Sequence, residues 1–78
     1  MDNAKLIEIL EAAKSYDDQA MRYFEKYSKA EEADLKQIYW TRSEEMSGIC
    51  SGLLFAYNII TDKNIGLSDL RYELTMSH

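Results

Sequence analysis

Few residues in this chain could do chemistry, and their positions restrict what they can do. Cys50 is the sole cysteine and His78 the sole histidine. Cys50 lies inside an uncharged run with no base near it in sequence, so its thiol is expected to stay protonated and pack as a small hydrophobe. One histidine at the end of the sequence supplies neither a Ser-His or Cys-His nucleophile nor the Glu-x-x-His ligand pairs of carboxylate-bridged metal bundles. Gly48 and Gly52 fall in a helical stretch and Gly66 in a turn, without the lysine and flanking strand that a phosphate loop needs. Glu8, Glu11, Glu44 and Glu45 could converge across a pair of helices, yet oxygen-only cation sites take about six to eight ligands, usually from a shaped loop. The expectation is a protein that is not an enzyme and has no cofactor and no metal site.

The charge balance bears on partners. Fourteen acids against nine bases give a formal charge of −5, with Asp17 and Asp18, Glu31-Glu32-Ala33-Asp34, and Glu44-Glu45 as local concentrations. Phosphate contacts require a basic face, and here the lysines and arginines are scattered and mostly within a turn of an acid, so direct nucleic-acid binding is disfavoured. The acids read as a solvated helix surface that can also meet a basic partner. A lone cysteine, and an amino terminus (Met1-Asp2-Asn3-Ala4-Lys5) without a basic leader or long apolar stretch, point to a reducing cytoplasm. The apolar run Met46 to Ile60 falls short of the roughly 18 to 20 residues that cross a bilayer, so no membrane span is expected.

The elements that must position these groups are helical throughout. There is no proline, and all three glycines lie in the second half. Leu6, Leu10, Ala13, Ala20, Phe24 and Tyr27 recur at alternating spacings of three and four, which predicts an amphipathic helix over about 3–28 with Asn3 as its cap. A second series, Leu35, Tyr39, Met46, Ile49, Leu53, Ala56 and Ile60, predicts another over about 34–61. The two series differ in phase, which places a turn in Ser28 to Asp34, where Ser28-x-x-Glu31 and Asp34-x-x-Gln37 each match a capping box. Turn residues follow Ile60, and Ser68 with Leu70, Tyr72 and Leu74 predicts a short helix over about 68–76. The fold class is therefore all-α, a single domain over 1–78: an antiparallel helical hairpin plus a short C-terminal helix.

Matching the stripes of the hairpin gives facing residues whose numbers add to 59, such as Leu6 with Leu53 and Leu10 with Ile49. In that register Asp17 falls opposite Arg42 within the apolar seam. Such a buried charged pair would fix alignment by penalising slipped ones; the alternative is that Asp17 and Arg42 line a polar pocket for an anion.

Met46 to Ile60 contains fifteen residues without a charge. A segment apolar or small on every side needs cover on every side, and 78 residues barely supply it. The short third helix is expected on the face carrying Gly48, Gly52 and Phe55, where glycines let another backbone approach. The remaining apolar surface points to a homodimer assembled as a helical bundle. Trp40 falls one position off the second stripe beside Glu44 and Glu45, which combines a hydrophobic anchor with a charged rim, as at the centre of an interface. The stretch Trp40 to Ile60 resembles in composition small helical proteins of bacteria and their phages. The expected function is a protein-interaction or regulatory module acting through self-association and protein binding, one form being a phage-type inhibitor whose acidic face blocks a basic surface. The alternative is a small-molecule or nucleotide binder with a site between subunits.

Overall fold

In a computed structural model, which describes residues 3–77, two long helices run antiparallel and a short one closes against them. His78, together with Met1 and Asp2, lies outside the described residues. Helix α1 spans Asn3–Lys29 and α2 spans Ala33–Thr61. A 3-10 turn at Leu67–Asp69 leads into α3, Leu70–Ser77. The extents of 46 × 20 × 18 Å are one long helix in length and about two helix diameters in each other direction.

Breaks in the helices fall where the periodicity changes, but the chain makes them with other groups than expected. Asn3 is itself helical. Neither capping box forms at the hairpin turn: the Ser28 hydroxyl donates to the carbonyl of Phe24, and Glu32 occupies the N-cap of α2 without a side-chain cap. Asp62 ends α2 in the left-handed conformation (φ 55°, ψ 37°), and the Lys63 N–H returns to the carbonyl of Asn58 at 3.2 Å. This is a helix end of the kind usually made with glycine. Asn58 then holds the following loop with both ends of its amide. Its nitrogen donates to the Ile65 carbonyl at 2.9 Å, and its oxygen accepts the Ile65 N–H at 3.1 Å. The 3-10 turn starts from Gly66 as its N-cap, and the Asp69 carboxylate accepts the Gly66 N–H at 3.3 Å.

The register differs by one helical turn from the stripe match. The Ser43 hydroxyl donates to the carbonyl of Ala20 and the Lys36 ammonium to that of Tyr27, so facing residue numbers add to 63, not 59. The cause is the connection. The three residues Ala30 to Glu32 between the helices allow little freedom, and the midpoint of that turn determines which residues face each other.

The core comprises Leu10, Ala13, Cys50, Leu54, Tyr57, Leu70 and Leu74. On α2 this is the set one residue along from the expected stripe; Ile49 and Ile60 are exposed. The rotation follows from where α3 sits. It packs along α1 over the groove between the long helices, and Leu70 and Leu74 cover Cys50, Leu54 and Tyr57. Placement of α3 on the Gly48, Gly52 and Phe55 face is thus corrected. Three ion pairs hold α3 in its seat: Arg71 to Asp18 at 2.6 Å and to Asp17 at 3.8 Å, and Lys63, just ahead of it, to Glu73 at 3.0 Å.

Candidate protein-interaction site

The expected Asp17 and Arg42 rung does not form. In the observed register Asp17 comes level with Met46 and Arg42 with Met21, one turn apart. Arg42 is exposed and pairs with Glu45 at 3.4 Å on its own helix, while Asp17 turns towards Arg71. Neither charge is buried, so the pair cannot set the register. Asp18, which sequence reasoning passed over as a surface acid, is the better-placed carboxylate. It bonds Lys14 at 2.8 Å and Arg71 at 2.6 Å, and the Lys14 and Arg71 hydrogen bonds hold its carboxyl below the ordinary aspartate value. The signal that could have found it is the Lys14 to Asp18 spacing of four.

Cys50 is fully buried, and burial, with a smaller contribution from the charge of Asp17, pushes its thiol up. It is a packing residue. Among the described residues no three His, Cys, Asp or Glu side chains cluster as metal ligands would, and no helix is long and apolar enough to cross a membrane.

Two surfaces stand out. The first is the outward face of α2. Gly48, Gly52, Phe55 and Ile59 lie along it with nothing laid over them. Phe55 is 69% and Ile59 65% exposed, and a methyl group placed on either glycine would meet no atom within 4 Å. Ile38, Ile49 and Ile60 extend the apolar surface on one side. Apolar residues at such density on a helix exterior mark a contact surface more than a solvated one.

The second is at the hairpin turn, where no third helix covers the pair. Here aromatic rings replace aliphatic packing. Trp40 lies 5.4 Å from Tyr27 and 6.5 Å from Phe24, centroid to centroid, and Tyr23 stacks on Tyr39 at 6.5 Å. Lys36 stands 4.8 Å over Tyr27, and Lys26 lies over both Tyr23 and Tyr39, contacts that favour the ring faces. Trp40 remains 40% and Phe24 48% exposed. Trp40 therefore closes the hairpin flank with one side and presents the other outward. Glu44 and Glu45 are exposed on the next turn of α2.

Comparison with protein-family models, with curated proteins and with solved structures returns no match.

Proposed function

We propose that this chain is a small acidic protein-interaction module that associates with itself through the outward face of α2 and presents its acidic surface to another protein. The observation that carries the reading is the uncovered row Gly48, Gly52, Phe55 and Ile59. It lies within an uncharged segment, and interface centres are likewise depleted in charge. The core supplies no alternative reason for two glycines in the interior of one helix, each costing about 1 kcal/mol relative to alanine. Close approach of a second helix supplies one: with no side chains at these two positions, backbones can come into contact, and Phe55 and Ile59 pack beside them. In a two-fold dimer the face meets its own copy, so one uncharged patch suffices for both partners.

Sedimentation equilibrium tests this. The wild-type chain should be dimeric at micromolar concentration, which corresponds to about 8 kcal/mol of association. Phe55→Glu and Ile59→Glu should be monomeric with helicity intact, because both side chains are solvent-exposed in the single chain. A wild-type chain that sediments as a monomer throughout the micromolar range overturns the reading, as does a dimer indifferent to both substitutions.

A further inference from the structure

The helix α3 occupies only one end of the groove between α1 and α2. Beyond Arg71 the groove continues towards the hairpin turn as an open trough of about 340 Å³, lined by Asp17, Ala20, Met21, Phe24, Glu25, Ser43 and Ser47. Its floor is finished: the Ser43 hydroxyl is already satisfied by the Ala20 carbonyl at 3.1 Å. Met21 and Phe24 are about half exposed along one side, and the Trp40 ring stands 6.5 Å from Phe24. The charged groups lining the trough are both carboxylates, Asp17 and Glu25, and Glu25 has no ion-pair partner among the described residues.

The chain itself shows what this groove accepts. In α3, Leu70 and Leu74 enter it one turn apart while Arg71 reaches the acids of α1. Asp17 belongs to both halves, ion-paired to Arg71 on one side and lining the trough on the other. We propose that the trough is the docking site for a basic amphipathic helical segment of a partner protein, seated end to end with α3, with its apolar residues on Met21 and Phe24 and its arginines or lysines against Asp17 and Glu25. The proposal rests on the reading of the chain as an interaction module and names the chemistry of its partner. A second copy of a chain carrying −5 is a poor occupant for a carboxylate-lined trough, since complementary potentials favour a cationic one. An apolar groove receiving an amphipathic helix at spacings of three and four is a recurring mode of recognition.

Trp40, the single tryptophan, reports on the trough by its fluorescence. The probes are two synthetic helix-forming peptides with leucines four apart, one carrying arginines and the other glutamates at the flanking positions. The arginine peptide should shift Trp40 emission and bind at least about tenfold more tightly than the glutamate peptide, with the difference shrinking as salt is raised. Glu25→Lys and Phe24→Ala should each weaken the arginine peptide by about tenfold or more. Both sites are exposed, so circular dichroism should show the fold retained. Phe55→Glu should leave peptide binding unchanged, which separates this proposal from the self-association of α2. Equal binding of the two peptides, binding of neither, or binding indifferent to Glu25→Lys and Phe24→Ala overturns it. A dimer that dissociates on Phe24→Ala also overturns it, because the trough would then be covered by a second copy.

Discussion

Charged side chains in this molecule work at the surface, and their value depends on which helix they join. Arg42 and Glu45 belong to one helix and stay solvated; Asp18 connects α1 to α3. Arg42→Ala should therefore change stability by less than about 0.5 kcal/mol in urea unfolding, the usual range for surface substitutions. Leu10→Ala, at a fully buried position, should cost about 2 to 5 kcal/mol. For Asp18 the sign of the pH dependence follows from its lowered carboxyl. A folded-state value below the unfolded one means stability that is fully present above the ordinary aspartate value of 3.8, and lost as pH falls below it through the folded value. Melting temperatures measured through the acid range should fall less steeply for Asp18→Asn than for wild type, while at neutral pH the variant is the less stable of the two. Equal slopes would show that Asp18 contributes nothing to acid sensitivity.

At the scale of the element, α3 is only eight residues long, too short to be helical alone, so its order depends on what precedes it. Asn58 is the fastening, with two hydrogen bonds to the backbone of Ile65. Asn58→Ala should cost about 1 to 3 kcal/mol, the penalty for leaving partly buried backbone groups without partners, and should raise the rate of proteolysis in 62–66 before the long helices unfold. If cleavage there is no faster than in wild type, the amide is not what holds the loop. Asp62 poses the opposite case. It occupies a left-handed conformation that costs a side-chain residue about 1 kcal/mol and glycine almost nothing. Asp62→Gly should accordingly be neutral or stabilising by up to about that amount in thermal unfolding.

At the scale of the whole molecule, two uncovered surfaces bear on association: the outward face of α2 and the end of the groove beyond α3. The glycines of α2 make the first of these testable without disrupting the core. Alanine at Gly48 and Gly52 meets nothing in the single chain and is the better helix former by about 1 kcal/mol per site. Gly48→Ala with Gly52→Ala should raise the helix stability of the monomer and weaken self-association, two effects of opposite sign on one pair of substitutions. Sedimentation and unfolding measured at low and high protein concentration separate them. A double variant that is more stable and equally dimeric would show that the glycines do not mark the contact.

Periodicity and chain breaks are local properties, so the number of helices and their limits, to within one or two residues, are legible in the amino-acid sequence. It also determined the acidic surface and the excess of apolar residues in α2. Three things were decided by the tertiary structure: the register, the rotation of α2, and the seat of α3. In a helix apolar on nearly every side, Ile49, Leu53, Ala56 and Ile60 make as good a stripe as Cys50, Leu54 and Tyr57, so periodicity does not choose between them. The choice fell to the second set because Leu70 and Leu74 arrive on that side. Sliding a hairpin by one turn likewise preserves both stripes and changes only their partners, so Asp17 and Arg42 could look paired in sequence and stand a turn apart in the fold. A three-residue turn decided between the two registers.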